Sequence, residues 1–298
     1  MAQTVFRSGN LEAFDKRLAL YKQKKATFVV RSGGLSRRLQ LEGSQKTFRF
    51  FGNQNSTYVD GSWFAPMVKK SIDAYIEKNG QIETFDKPDI QQFNIARVES
   101  NLYKPVAAVD INNCHWTTAY LLGFIPKNLY ERGVASGKKK GLLVSIGSLN
   151  KLEQLDYYEN GKLVKTEFDH AQHARYSPFY WAIIGRVRDV MMETFSRHKD
   201  NFYMWLTDCA FVDAFAVSQL RREFEQMGYQ SKQYMVDFVC VSTNKVFWYE
   251  AKTDTKKSIA YQNRDIDVSY ALWQGGAENR EGRLRDPLTL NKDNALGN

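Results

Sequence analysis

From Pro105 onward the chain sets short apolar strands, each ending on or near an acid, against amphipathic helices, and this alternation limits the folds open to it most. "PVAAV" runs straight into Asp110, and a short helix is expected over 116–124. In "SPFYWAIIGRVRDVMMETFSRHK" the residues Ile183, Ile184, Val187, Val190, Met191 and Phe195 share one helical face, with Ser177 as expected cap and Pro178 in the first turn. "NFYMWLTDCAFV" reads as a strand with Asp208 near its middle. A helix over 213–227 follows, capped by Asp213 and stopped by Gly228. Apolar helix faces must pack and half-buried strands must pair, so the expected class is α+β: an antiparallel sheet backed by helices 178–198 and 213–227.

Three further segments complete this reading. Between the two acids lie a Gly/Ser/Lys-rich loop at "VASGKKKG" and a hairpin turned at Glu159-Asn160-Gly161. After the second helix, "QYMVDFVCVS" and "KVFWYEAKT" form an expected hairpin around Ser242, Thr243 and Asn244. Ahead of the acids, residues 1–104 read as a small N-terminal α+β accessory domain. It has one helix carrying Leu11, Phe14, Leu18 and Tyr21, strand-like runs "ATFVVRS", "RRLQLEG" and "KTFRFFG", and a second helix ending at Gly80. Residues 105–265 make the main domain, and the polar, Gly-rich residues 266–298 a loosely ordered tail.

Composition excludes several classes. With 43% hydrophobic and 14% aromatic residues the chain can build a core, and no window approaches the roughly 18 apolar residues that span a bilayer. No membrane partner is expected, and a start without the apolar stretch of a secretory signal makes the cytoplasm the expected compartment. Cys114, Cys209 and Cys240 are odd in number and lack CxxC spacing, which indicates neither a disulfide framework nor a zinc site. A formal charge of +9 favours a polyanionic partner, because each phosphate neutralised releases counterions.

Two aspartates on neighbouring antiparallel strands can hold two divalent cations about 3.5–4 Å apart, the clamp used in phosphoryl transfer. Mg²⁺ takes few protein carboxylates and completes its shell with phosphate and water oxygens, so two acids suffice. Over residues 104–250 the order of motifs resembles the palm of family B DNA polymerases, above all the protein-primed enzymes of phages and plasmids. The family's first motif, Asp-x-x-Ser-Leu-Tyr-Pro, is similar to Asp110-Ile111-Asn112-Asn113-Cys114-His115-Trp116, with the metal-binding acid kept and Ser, Tyr and Pro replaced by Asn113, His115 and Trp116. Its third, Asp-Thr-Asp-Ser, is similar to Leu206-Thr207-Asp208-Cys209, with the second aspartate kept. Gly185-Arg186 stands where the family carries Gly-Arg in the preceding helix. The fingers motif, Lys-x-x-x-Asn-Ser-x-Tyr-Gly, is matched at Lys140 and Ser145 only.

This resemblance implies an antiparallel palm-like sheet with Asp110 and Asp208 as catalytic ligands for Mg²⁺ or Mn²⁺. It implies a nucleotide site formed by Ile111, Asn112, Asn113, His115 and Lys140, with the backbone after Asp110 and Lys140 meeting the triphosphate and His115 beneath the sugar. The partners implied are nucleic acid, DNA in preference to RNA, a nucleoside triphosphate if the site is active, and protein partners the sequence does not identify. A phage or mobile-element origin would add the host cytoplasm or the virion as compartments. Two alternatives stay open. One is a palm-shaped scaffold or phage structural protein that binds DNA without catalysis. The other is a Mg²⁺-dependent nuclease, because Asp237 with Glu250-Ala251-Lys252 resembles the PD-(D/E)xK signature. His170 and His173 have the spacing of a metal pair but no third ligand nearby, and read as an exposed polar loop.

Overall fold

The computed structural model describes residues 4–33, 36–44, 46–51, 61, 63–83, 93–95, 106–236, 238–241, 245–250 and 255–260. In chain order the elements are β1 (Thr4–Asn10), α1 (Leu11–Gln23), β2 (Phe28–Gly33), β3 (Ser36–Leu41), β4 (Lys46–Phe51), α2 (Phe64–Asn79), β5 (Phe93–Ile95), β6 (Val106–Ile111), α3 (Cys114–Leu121), α4 (Lys127–Ala135), α5 (Lys139–Gly147), β7 (Gln154–Glu159), β8 (Lys162–Phe168), α6 (His170–Arg197), β9 (Phe202–Leu206), β10 (Cys209–Asp213), α7 (Val217–Gln226), β11 (Ser231–Val236), β12 (Phe238–Val241), β13 (Lys245–Glu250) and β14 (Thr255–Ala260). The class is α+β, with antiparallel sheets backed by helices. Among the described residues no helix is long and apolar enough to cross a membrane.

Two compact units emerge, and neither is a continuous stretch of chain. The first joins Met1–Pro88 to His115–Ile184, and the second joins Asp89–Cys114 to Gly185–Asn298. The chain passes between the units at three points, after residues 88, 114 and 184; residue 104 falls within the Asp89–Cys114 segment of the second unit, and the tail from 266 lies outside the described residues.

The first unit holds a six-stranded sheet in the order β1-β4-β3-β2-β7-β8. Every pairing is antiparallel except β1 with β4. Helix α1 supplies Phe14 to a cluster with Phe28, Val30, Leu39 and Tyr158, so one sheet face is apolar and covered. The β7–β8 hairpin turns at Asn160 and Gly161, both at positive φ (50° and 76°), the type I′ signature that Asn-Gly favours. Of the stretch read as a Gly/Ser/Lys-rich loop, only residues 136–138 connect two helices; its ends belong to α4 and α5. They join α2, α3 and the first half of α6 in a second core that includes Phe64, Trp116, Leu142, Ile146, Phe179 and Ile183.

Helix α6 starts eight residues before Pro178. Its cap is Asp169, not Ser177: the Asp169 carboxylate accepts from the Gln172 amide at 3.0 Å, and its carbonyl from the His173 amide at 3.1 Å. His170 and His173 therefore lie on the first turn of a helix, and the His173 ring is 3.2 Å from the Asn150 side-chain oxygen.

The second unit holds a five-stranded, wholly antiparallel sheet, β11-β6-β10-β9-β5. Alternation along β6 sends Ala107, Val109 and Ile111 to one face. There they pack with Val187, Val190 and Met191 of α6 and Val217, Leu220 and Phe224 of α7. Asp213 ends β10 and is buried; it accepts a hydrogen bond from the Tyr203 hydroxyl at 2.7 Å and makes no side-chain cap. Strands β12, β13 and β14 form a separate antiparallel sheet.

Candidate functional site

Strand β6 lies between β10 and β11, and its alternation puts Asp110 on the face opposite the helices, at the end of the strand. Register then decides its neighbours. Asp110 pairs with Cys209 across β10 and with Lys232 across β11, so the three share that face. Asp208 is not in mid-strand. It occupies the two-residue turn of the β9–β10 hairpin, one residue before Cys209, and its carbonyl accepts from the Ile111 amide at 3.0 Å. The cross-strand partner of Asp110, Cys209, thus directly follows Asp208 in the chain.

The backbone around the acids is unusual. Thr207 opens the hairpin turn at φ 50°, and Asn113 follows β6 at φ 47°. Asn adopts this left-handed region readily, whereas a β-branched residue there is an outlier that costs about 1–2 kcal/mol. Such strain persists where surrounding structure dictates it, and here sheet pairing on both sides of the turn does so.

Among the described residues the cation paired with Asp110 is Lys232. The Lys232 ammonium is 3.0 Å from Asp110 Oδ2; the Asp110 side chain is 15% exposed and that of Lys232 55%, so the pair opens toward solvent on the lysine side. Burial pushes the Cys209 thiol well above its ordinary pKa, and the charges of Asp110 and Asp208 push it further, against the Tyr234 hydroxyl 3.8 Å away and Lys232. Cys209 is therefore a neutral thiol and no nucleophile. Among the described residues no group of three or more His, Cys, Asp and Glu side chains is placed to hold a metal. A cation here would have two protein carboxylates and take its other ligands from phosphate and water, a donor set that suits Mg²⁺ or Mn²⁺ and not Zn²⁺.

The expected nucleotide-binding residues divide between the units. Ile111 is buried in the helical core, and its amide is committed to Asp208. The Asn112 amide is likewise committed, to the Gln230 carbonyl at 2.8 Å. His115 and Lys140 belong to the first unit. His115 sits in the first turn of α3 with a buried Nδ1 that has no hydrogen-bond partner, and burial, reinforced by Lys139, lowers its pKa. Lys140 is exposed at the start of α5, on a helix rather than a loop. Of the nuclease triad, Asp237 and Lys252 lie outside the described residues, and Glu250 ends β13 paired with Thr255.

The sequence reading passed over Lys232 and Tyr234, whose role comes only from register with β6; their alternation in "SKQYMV" on a strand following the acid motifs was the available signal. It also passed over a polar cleft of about 550 Å³ bordered by Asn112, Arg221, Arg222, Tyr229 and Ser231. There Arg221 donates to the Ser231 carbonyl at 3.2 Å and to Gln233 Oε1 at 3.3 Å. No protein-family model, curated protein or solved structure matches the chain.

Proposed function

We propose that this chain is a reduced protein of the family B DNA-polymerase palm type, acting on nucleic acid, DNA in preference to RNA, by metal-dependent nucleotidyl transfer. The observation that carries the reading is the juxtaposition of Asp110 and Asp208. One acid ends a central strand, the other sits in the turn of the neighbouring hairpin, a hydrogen bond from the Ile111 amide to the Asp208 carbonyl ties that turn to the strand end, and both acids act on the Cys209 thiol. Two Mg²⁺ or Mn²⁺ ions held there would stabilise charge on the attacking and leaving oxygens of a nucleotidyl transfer.

The chain's own residues prepare that chemistry. Asp110 and Asp208 both lie near enough to the Cys209 thiol to raise its pKa, and Lys232 pairs with Asp110. With the amides of Ile111 and Asn112 already committed to the sheet, contact with a triphosphate falls to Asn113 and beyond. Arg221 and Arg222, in the cleft that Asn112 borders, supply cations for a phosphate chain.

One observation favours a second reading, a palm-shaped scaffold that binds nucleic acid without catalysis: the Lys232–Asp110 contact already satisfies the acid. Nucleotide incorporation on a primed DNA template with Mg²⁺ or Mn²⁺ separates the two. The catalytic reading predicts incorporation by the wild type and none by Asp110→Ala or Asp208→Ala. Incorporation that survives both substitutions removes these acids from the mechanism, and a folded wild type that never incorporates leaves the scaffold.

A further inference from the structure

We infer that the first unit holds a second site, for a dianionic phosphate group, where α2 meets the six-stranded sheet, and that this site works without the acid pair. The carrying observation is a charge imbalance in a half-buried cluster. Glu153, almost fully buried, accepts from Arg38 at both carboxylate oxygens and pairs with the Lys151 ammonium at 2.8 Å. Asp169, whose amide donates to the Glu153 carbonyl at 2.8 Å, pairs with Arg31 at 3.3 Å. Lys69 of α2 lies within electrostatic reach of Arg38, Lys151 and both carboxylates. Four described cations thus share two carboxylates, an excess of two positive charges.

Lys69 carries the imbalance. Among the described residues it makes no ion pair, and its described contact is the face of the Tyr176 ring, 4.9 Å from the ammonium. Asp73, one turn along α2, is taken by Arg175 at 2.7 Å and by the Tyr176 hydroxyl at 3.0 Å. Burial lowers the Lys69 pKa, and Arg38 and Lys151 add to the fall against Glu153 and Asp169. A desolvated ammonium without a counter-ion costs stability that a bound anion returns. Thr47 adds a second, independent observation. It is 4% exposed, and its hydroxyl has no hydrogen-bond partner. Pairing with Gln40 sets it on the face of Arg38 and diagonal to it, about 7–8 Å away. Buried hydroxyls are seldom left unmatched, so this one calls for an acceptor.

The chemistry of the donors favours phosphate over a carboxylate. Arg31 and Arg38 stand opposite each other in register, and guanidinium forks match pairs of phosphate oxygens, while lysine adds a point charge. A phosphate monoester brings about two negative charges at neutral pH, which matches the excess, whereas a carboxylate brings one. Gly33, two residues past Arg31 on the same face, leaves room for Lys151, because an added Cβ there would collide with the lysine chain. Arg31 and Arg38 keep 39% and 35% of their side-chain surface exposed, so a small anion can enter from solvent.

The test is calorimetric titration of the full chain, free of divalent metal, with inorganic phosphate at ionic strength held constant by sodium chloride. Glycerol 3-phosphate and glycerol are titrated beside it. Wild type should bind inorganic phosphate saturably and glycerol not at all; binding of glycerol 3-phosphate as well assigns the site to phosphate monoesters, and its failure to bind assigns it to the free anion. Lys69→Met should weaken phosphate binding about ten-fold or more, and Thr47→Val should weaken it less. Both variants should melt above wild type in phosphate-free buffer, since each removes an unmatched buried group, whereas a purely structural role would lower the melting point. Asp208→Ala should bind as wild type does, which separates this site from the acid pair. In unaltered protein, acylation of Lys69 by acetic anhydride, read by mass spectrometry, should slow as phosphate saturates, and it decides the matter if the variants do not fold. No saturable binding beyond the chloride background, unchanged affinity in folded Lys69→Met, or Lys69 acylation indifferent to phosphate would each overturn the assignment.

Discussion

At the scale of single residues the site turns on whether Asp110 serves Lys232 or a metal. A part-exposed ion pair contributes about 1 kcal/mol, so Lys232→Gln should raise Mn²⁺ affinity about five-fold by removing the competing ammonium, which electron paramagnetic resonance can measure. Glu153 gives a second residue-level prediction. Burial would raise its pKa, but Arg38 and Lys151 outweigh burial and hold it down to about 2. Because folding lowers this pKa, the stability it contributes is complete above about pH 4.5 and is lost as pH falls toward 2, by about 3 kcal/mol in all. Urea denaturation at a series of pH values should show that decline in the wild type and a flatter profile in Glu153→Gln, which is already weaker at neutral pH.

At the scale of elements, the caps and turns can be weighed separately. Asp169→Ala removes the helix cap and the Arg31 contact, and should cost about 1–2 kcal/mol by chemical denaturation; Ser177→Ala, at the cap position expected from sequence, should cost less. Gly161→Ala should be among the most damaging changes in the first unit, because an added Cβ would sit 2.3 Å from the Lys22 carbonyl oxygen in a turn at φ 76°. Local signals explain which elements were legible. The amphipathic pattern of α1, the Asn-Gly turn of β7–β8 and the apolar run of β6 each sit within one segment of sequence. Helix α4 did not, because Gly133 reads as a breaker although it is a buried packing position pressed against the Trp116 ring. The start of α6 was misread because Pro178 looks like a first-turn residue, while the true cap stands nine positions earlier.

At the scale of the whole molecule, what the sequence could not show is pairing between distant segments. Strand β1 joins β4 in parallel some forty residues on, and β7–β8 completes a sheet begun more than a hundred residues earlier, so each unit draws on two stretches of chain, and residue 104 falls within one of the second unit's. The site was legible in part for the same reason. Asp110 and Asp208 each end or follow an apolar strand, which sequence reveals, whereas Lys232 becomes part of the site only through the order β11-β6-β10. Backbone register is the extreme case, since positions 7, 49, 38 and 31 stand opposite one another on four neighbouring strands although nothing along the chain marks them as neighbours.

The measurement that bears most directly on the acid pair is a crystal of this protein soaked with Mn²⁺ and a non-hydrolysable nucleoside triphosphate, with anomalous scattering recorded. A metal-holding palm predicts an anomalous peak between the Asp110 and Asp208 carboxylates, with Lys232 displaced from Asp110 and no peak in Asp208→Ala crystals. Lys232 still on Asp110, with manganese absent from both acids at saturating concentration, would contradict it.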